Sequence, residues 1–335
     1  MKYKLDKKID QIIQKAMDGG EINEKELFSL LSVQPLSEES FMIRYASRKM
    51  SEAASGGKAE VHAQVGIDNG PCPKNCGFCS FAAVNKVFPQ PVVRPLEEVI
   101  ASCLTLEADG ANAVYLMETA RYPFADFIRM AREVKAALKP ETTFIANTDD
   151  FDEEGARALK EAGFHGIYHV VHMGEGTTTA IHPRIRLKTI AAAQKAGLLI
   201  GTAVEPIGPE HSKEEIVEKT MLIREMGPVH AGAGGRVHIP GSVLEAHGVL
   251  TGAQTSHILA AVKLAIGYQV KGHCGGLEMG AMAGVNLTWA EVGSNPRDTE
   301  TNTVRGSTVK LRQDELREAG WEVLEGPSVM FGASA

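Results

Sequence analysis

Long apolar runs are missing from this chain of 335 residues: none approaches the roughly 18 residues that a membrane-spanning helix needs. Excess positive charge is missing too. Lysine and arginine total 35 against 42 aspartates and glutamates, a net charge of −7, and no basic block occurs. Nucleic acid and an anionic membrane are therefore not expected as partners, although a local basic cleft is compatible with that balance. The opening stretch MKYKLDKKIDQIIQKAMDGG is charged and amphipathic and lacks the apolar centre of an export signal, so a cytoplasmic location is expected. Linkers rich in proline, glycine or serine and low-complexity tracts are lacking. Cysteine is scarce: Cys72, Cys76, Cys79, Cys103 and Cys274 are the five present. An odd number with three clustered is not a disulfide framework. In a chain without an export signal such a cluster more often binds metal or does redox chemistry.

What is there begins with helices. Residues near 5–17, 23–31 and 37–54 place apolar side chains at helical spacing, and Ser37 is positioned as the N-cap of the third. VHAQVGI at 61–67 alternates and is β-branched enough for a strand. A recurring grammar follows. LEADG, LKEAG, AQKAG and IREMG each close a charged helix, on Gly110, Gly163, Gly197 and Gly227, where glycine accepts the left-handed C-cap. A short apolar run comes next each time, as for parallel strands covered on both faces. SKEE at 212–215 is a capping box for the helix ending at Gly227.

Strands are expected near 61–67, 111–117, 143–147, 166–171, 198–204, 229–236, 267–271 and 286–291. Eight such units close a (β/α)8 barrel of the TIM type in the α/β class. A doubly wound open sheet is the structural alternative, but no GxGxxG follows the first strand to support a dinucleotide version of it. The simplest division is an N-terminal helical extension over 1–57 and a barrel over 58–335. SNPRDTETNTVRGSTVKL reads as loop, and DELREAGWEVLE as a last helix with a short strand.

The clustered cysteines lie in PCPKNCGFCSFA, residues 71–82, directly after the first strand. A structural zinc wants four ligands, usually as two separated pairs. Three thiolates on one loop suit a four-iron cluster, in which three irons take a cysteine each and the fourth stays open. An open iron at the C-terminal mouth of a barrel lies where substrate chemistry happens. Glycine and proline let the loop fold tightly around a bulky group. A zinc completed by a histidine is the plainer alternative.

Cys-x3-Cys-x2-Cys on the loop after a barrel's first strand, with Phe78 before the last cysteine, resembles the radical S-adenosylmethionine enzymes. The resemblance implies a [4Fe-4S] cluster with Cys72, Cys76 and Cys79 as its metal ligands. It implies that the open iron chelates the amino and carboxylate groups of S-adenosyl-L-methionine, with Phe78 near the adenine. One electron, from a reduced flavodoxin or ferredoxin, would then give methionine and a 5′-deoxyadenosyl radical that takes a hydrogen atom from a small-molecule substrate.

From about residue 40 onward the layout is similar to the branch that contains biotin synthase, the [FeFe]-hydrogenase maturase, methylornithine synthase and the methylase of [Fe]-hydrogenase cofactor assembly. The N-terminal helices, KAG before LLIGTAVEPIG, MAGVNLTWAEVG and ELREAGW carry that likeness. There are departures. Common-type biotin synthase holds a second cluster on three more cysteines and an arginine. Here only two more cysteines exist, and Lys271 stands near where that arginine falls. YHVVHMGE at 168–175 also lacks the Asn and Asp pattern of that enzyme. Common-type biotin synthase is disfavoured on these grounds, while sulfur insertion stays open.

The same resemblance implies cofactor-binding roles at the strand ends. In LMETARYP, Glu118 and Thr119 occupy the place where family members bind the amino group of S-adenosylmethionine; a helix-cap or ion-pair role is the alternative for Glu118. Arg184 and Arg186, in AIHPRIRLKTI, open the fourth barrel helix. A guanidinium there can pair bidentately with the methionine carboxylate, one of the two doing so and the other being solvated. Glu205, in AVEPIG, is expected to face the mouth and hold a ribose hydroxyl or substrate, with a surface ion pair as the alternative.

Three catalytic candidates come from the residues themselves. HAGAGGRVHIPG puts a run of small residues before Arg236, leaving room for another group. One of Arg236 and His238 is expected to point into the cavity, a satisfied structural histidine being the plain alternative for His238. Cys274, in GHCGG, is expected at an exposed, flexible strand end with its thiolate favoured by His273. A second-cluster ligand, a hydrogen-atom donor and a covalent anchor are the roles open to it. Cys103 sits mid-helix among Ile, Ala and Leu and reads as core.

The chain thus reads as a one-cluster radical enzyme acting on a small molecule. Methylation or carbon rearrangement in cofactor biosynthesis is the favoured reaction, with hydrogenase cofactor assembly as its setting, and sulfur insertion competes. The rival from another class is a non-enzymatic iron–sulfur carrier or scaffold.

Overall fold

The computed structural model of the chain describes residues 5–332. Three helices come first: α1 (Lys7–Met17), α2 (Glu24–Leu31) and α3 (Glu38–Ser55). Each opens on a side-chain cap, from Asp6, Asn23 and Ser37, whose oxygen accepts first-turn N–H groups that have no partner within the helix.

Eight staves then build the barrel. They are β1 (Lys58–Gly66), β2 (Ala113–Met117), β3 (Thr143–Asn147), β4 (Gly166–Tyr168), β5 (Leu199–Gly201) continued by β6 (Val204–Ile207), β7 (His230–Gly235), β8 (Gly272–Cys274) and β9 (Leu287–Gly293). All pair in parallel, and β1 with β9 closes the sheet. Between them run α4 (Leu96–Ala108), α5 (Phe124–Ala137), α6 (Glu153–Glu161), α7 (Pro183–Lys195), α8 (Lys213–Met226), α9 (Gly252–Ile266) and the single turn α10 (Leu277–Gly280). After β9, α11 (Val309–Glu318) leads to β10 (Glu322–Val323), which pairs with the start of β1. Among the described residues no helix is long and apolar enough to cross a membrane.

The punctuation expected from the sequence is present. Gly110, Gly163, Gly197 and Gly227 all take positive φ at helix ends, and Ser212 and Glu215 cap each other's backbone at the start of α8. Three strand expectations need correction. The fourth strand stops at Tyr168 rather than 171. The fifth is interrupted at Thr202 and Ala203, so that β5 and β6 share one stave. The seventh is not at 267–271 but at 272–274. The reason lies in α9, which runs on to Ile266. The buried Lys263 ammonium then ties down the carbonyls of Gly267 (3.0 Å) and Val270 (2.8 Å), making that stretch the helix–strand connection.

The N-terminal helices share one core with the barrel helices. Ile12 and Ile13 of α1, Leu27 and Leu30 of α2 and Ile43 and Met50 of α3 join Leu259, Val262 and Ile266 of α9. Polar ties fix the contact: Arg44 donates to Ser256 Oγ and Ala253 O, and buried His257 bonds Ser40 Oγ and Leu30 O. The barrel interior is a second, separate cluster around Tyr115, Ile145, Cys274, Leu287, Trp289, Met330 and Phe331. Its floor, at the N-terminal ends of the strands, is sealed by the segment after β10. There Leu324 N–H bonds Ala59 O, and Val329 and Met330 N–H bond Glu60 Oε1.

Candidate active site

Alternation along β1 sets up the site. Ala63 and Val65 pack outward into the helical shell, so Glu60, His62 and Gln64 point into the barrel. Beyond Gly66 the chain turns into the cysteine loop. Gly70 has no space for a side chain, since a Cβ there would stand 2.3 Å from Phe81 O. The loop closes on itself through Cys72 N–H to Phe81 O (2.7 Å) and Ala83 N–H to Cys72 O (3.0 Å). Asn85 Nδ2 holds the carbonyls of Gly77 and Cys79. Neighbouring strand-end loops clamp it: Gly77 N–H donates to Thr178 O, Ala180 N–H to Lys74 O and Ser80 N–H to Pro296 O.

Cys72 is buried, and Cys76 and Cys79 are half-buried. Burial pushes all three thiols up, Cys79 to about 12, and their mutual repulsion as thiolates adds to this at Cys76. Without a bound cation they are therefore protonated thiols, whereas coordination to a metal displaces the proton outright. Among the described residues no three His, Cys, Asp or Glu side chains stand at the spacing of a single metal ion.

Beside the loop, β2, β3 and β4 deliver a cluster of charged groups. Asp68 accepts from Thr119 N–H (2.7 Å) and Thr119 Oγ1 (2.6 Å), which ties the start of the cysteine loop to the end of β2. Glu118 is buried, hydrogen-bonded to Thr148 through one oxygen, and its Oε2 has no partner. Burial pushes the Glu118 carboxyl up to about 8 and Asp68 to about 6. Asp149 pairs with Lys74 (3.0 Å), leaving its Oδ1 unpartnered. Arg186 is buried between Asp150 (3.3 Å) and Glu175 (3.6 Å), with no hydrogen bond at Nε. Burial alone would raise Asp150 and Glu175. Hydrogen bonds from His169 and His172 and the Arg186 charge outweigh it and hold each at about 2.

The barrel interior beneath the mouth is polar as well. Gln64 accepts from Asn147 (2.8 Å) and donates to Glu291 (3.3 Å), Glu291 also pairs with Arg297, and Tyr168 donates to Glu205. The Glu291 and Glu205 charges hold the Arg297 pKa above its already high value.

The sequence candidates divide accordingly. The structure brings Cys72, Cys76, Cys79, Glu118, Thr119 and Arg186 to one end of the barrel, with Glu205 in the interior. Thr119 is committed to Asp68. The Phe78 ring lies 5.0 Å from that of His172. Arg184 is exposed and Arg186 buried. Neither Arg236 nor His238 points into the chamber: Arg236 forms a bidentate pair with Glu210, and exposed His238 bonds Glu245 (3.1 Å). Cys274 is not exposed either. It lines the barrel interior at 3% accessibility with Sγ 3.8 Å from Thr202 O, and burial pushes its thiol up rather than down. His273 cannot help it, since it turns outward to Ser51 and burial drops its own pKa to about 3. Cys103 is core, as expected.

The reading of the sequence missed Asp68, Asp149, Asp150, His169 and Glu175. The TDD after the third strand was the one available signal, because acidic residues at a strand's C-terminal end sit at the barrel mouth. A surface groove of about 1200 Å³ lies elsewhere, on the helical shell between α5, α6 and α7, and meets this site only at Asp150.

A closed parallel barrel thus carries three thiols on the loop after its first strand, flanked at the mouth by buried carboxylates and a guanidinium. Residues 70–223 match the model of the Radical SAM superfamily. It is 24% identical over 236 residues to the biotin synthase of Rippkaea orientalis, a match covering 65% of this chain and 62% of that one. The chain thus spans about three fifths of that relative's length. The biotin synthase of Magnetococcus marinus is 26% identical over 239 residues, 69% of this chain and 71% of that one. Among solved structures, methylornithine synthase (PylB) superposes with a TM-score of 0.78 at 16% identity, covering 95% and 98% of the two chains. The FeFe-hydrogenase maturase HydG of Carboxydothermus hydrogenoformans gives 0.77 at 17%, covering 96% of this chain and 80% of that one.

Proposed function

We propose that the chain is a radical S-adenosylmethionine enzyme acting on a small molecule, holding a [4Fe-4S] cluster on Cys72, Cys76 and Cys79. When bound, the cluster and S-adenosylmethionine supply a 5′-deoxyadenosyl radical able to take a hydrogen atom from substrate. One observation carries the reading: the three-thiol loop lies beside buried polar atoms that make no hydrogen bond, Oε2 of Glu118, Oδ1 of Asp149, and, within their ion pairs, Oδ2 of Asp150 and Nε of Arg186. Buried groups of this kind are costly unless a ligand completes them. Carboxylates suit the ammonium of an amino acid and a guanidinium suits its carboxylate, so the set fits the methionyl end of the cofactor. Glu205, Gln64, Asn147, Tyr168 and Arg297 would position the substrate and exclude bulk water. A reduced flavodoxin or ferredoxin would supply the electron.

Within this class we favour methylation or carbon rearrangement during cofactor biosynthesis, hydrogenase cofactor assembly first. Two considerations support it. The structural neighbours include a hydrogenase maturase and methylornithine synthase. The barrel interior offers one thiol, Cys274, while Cys103 is buried on α4 among shell residues. Sulfur insertion, which the biotin synthase relatives suggest, would draw on a second cluster for which that interior supplies too few thiols.

Anaerobic reconstitution tests the proposal. About four irons per chain are expected, with release of 5′-deoxyadenosine on adding S-adenosylmethionine and dithionite. Cys76→Ala should abolish both, and cleavage that survives this change would overturn the assignment. About eight irons would favour sulfur insertion. Cluster transfer to an acceptor protein without cleavage would favour a carrier.

A further inference from the structure

Tyrosine and tryptophan are sparse in this chain, six and two in 335 residues. Two of the tyrosines and one tryptophan nevertheless meet inside the barrel. The Trp289 ring stands 6.0 Å, centroid to centroid, from both Tyr115 and Tyr168. Tyr168 and Trp289 are half-buried, and Tyr115 is completely buried. Barrel interiors are ordinarily filled by branched apolar side chains, so packing alone does not call for two phenols and an indole. At these separations the ring edges are close to contact, and an electron passes readily between them.

The hydroxyl partners supply a second, independent observation. Tyr168 donates to the Glu205 carboxylate. Tyr115 Oη lies 2.8 Å from His62 Nδ1, and His62 Nε2 lies 2.8 Å from Glu60 Oε2. Tyr115 Oη is also 3.3 Å from His230 Nε2. One proton assignment satisfies the whole set. His62 donates from Nε2 to Glu60, which also accepts from Val329 and Met330 N–H. Tyr115 donates to the bare Nδ1 of His62, and His230 donates from Nε2 to Tyr115. His230 Nδ1 is then a bare acceptor, and that atom is the one without a partner. Each phenol therefore has a base within proton-transfer reach.

We propose that Tyr168, Trp289 and Tyr115 form a relay that carries an oxidising equivalent from the substrate chamber to Tyr115. The proposal rests on the reading of the chain as a radical enzyme. A carbon radical that escapes its normal fate takes a hydrogen atom from Tyr168 Oη, forming a C–H bond and a neutral tyrosyl. An electron passes from Tyr115 through Trp289 to Tyr168, which recovers a proton from the mouth through Glu205. The Tyr115 phenolic proton moves to His62 Nδ1, and a neutral tyrosyl remains at Tyr115. One electron from the reduced ferredoxin or flavodoxin class of donor, with return of the His62 proton, restores Tyr115. The relay thereby repairs misfired turnovers without loss of the polypeptide.

Cluster-free protein tests the relay on its own. Azidyl radicals from pulse radiolysis oxidise tryptophan, and in the unmodified chain the tryptophanyl absorption is expected to decay into tyrosyl absorption at a rate independent of protein concentration. That phase should be lost when Tyr115→Phe and Tyr168→Phe are combined, and lost again in Trp289→Phe, with rings of similar shape kept in place. His62→Gln keeps the phenol but removes the base, and should slow the transfer. An unchanged phase in the double variant, or no such phase in the parent, overturns the relay. In reconstituted protein given S-adenosylmethionine and dithionite but no substrate, freeze-quenched samples should show a tyrosyl paramagnetic signal that Tyr115→Phe changes in line shape, leaving the radical on Tyr168, and that the combined Tyr115→Phe and Tyr168→Phe variant abolishes. Failure to release 5′-deoxyadenosine there speaks against the radical-enzyme reading, whereas release with no tyrosyl signal speaks against the relay alone.

Discussion

Glu118 shows how a single buried carboxyl links pH and stability. Burial raises it from an ordinary 4.5 to about 8, so the folded chain binds its proton more tightly than the unfolded chain does. Its contribution to stability is full below 4.5 and is lost as pH rises through about 8. Cluster-free protein should therefore lose stability across that window, and Glu118→Gln, which cannot ionise, should flatten the loss. Asp68, raised to about 6, titrates in the lower part of the window in both proteins. Thermal melts from about pH 5 to about pH 9 check the point, and identical slopes would refute it.

Arg186 makes the complementary case. Replacing it with Met leaves Asp150 and Glu175 buried without their cation, which should cost about 3–5 kcal/mol. Arg184→Met, on the exposed face of the same helix, should change stability by less than about 0.5 kcal/mol. Urea midpoints of the two variants measure the contrast. The cysteines were legible in the sequence because one loop carries all three and their spacing is the signal. Asp150 was not legible together with His169, Glu175 and Arg186, because it follows β3 while the other three belong to the β4–α7 unit, and only the pairing of β3 with β4 brings them together. Cys274 misled for a related reason. Flanking glycines read as exposure, but they are there because neighbouring backbone and side chains press on them.

Elements were legible where a local signal fixes the backbone. The glycine that ends a helix declares itself by its place after a charged run, as at Gly227, where the chain takes φ 60° and open space surrounds the Cα. Gly232, inside β7, declares nothing locally. A Cβ there would stand 1.7 Å from Cys274 O, so β8 lies directly against it. The two positions should respond differently to alanine. Gly227→Ala should cost about 1 kcal/mol, the penalty of a left-handed conformation. Gly232→Ala must part β7 from β8 and should cost about 3 kcal/mol or more, the upper end for overpacking. Equal losses in urea unfolding would contradict this account. The displaced seventh strand has the same origin: GYQVK has strand-like composition, but Lys263 commits the carbonyls of Gly267 and Val270 before they can pair.

At the scale of the whole molecule, the last described segment closes the barrel from below. Phe331 and Met330 fill the interior, and Asn112 Nδ2 holds the carbonyls of Leu324 and Gly326. Nothing in LEGPSVMFG carries a periodic signal, so sequence reasoning stopped at the last helix and short strand. The segment acts in two separable ways. Phe331→Ala removes only packing and should cost about 3–5 kcal/mol, with the spread set by how far the site collapses. Deleting everything after Pro327 removes that packing and also the Val329 and Met330 N–H groups that Glu60 accepts. Glu60 would then keep His62 as its one hydrogen-bond partner in a buried site. Leaving such a group short of donors adds about 1–3 kcal/mol, so the deletion should unfold at a lower urea concentration than Phe331→Ala. Glu60→Gln in the deletion background should recover part of that difference, because an amide does not need donors as a buried carboxylate does. A deletion no worse than Phe331→Ala, or no recovery by Glu60→Gln, would show that the segment seals the floor by packing alone.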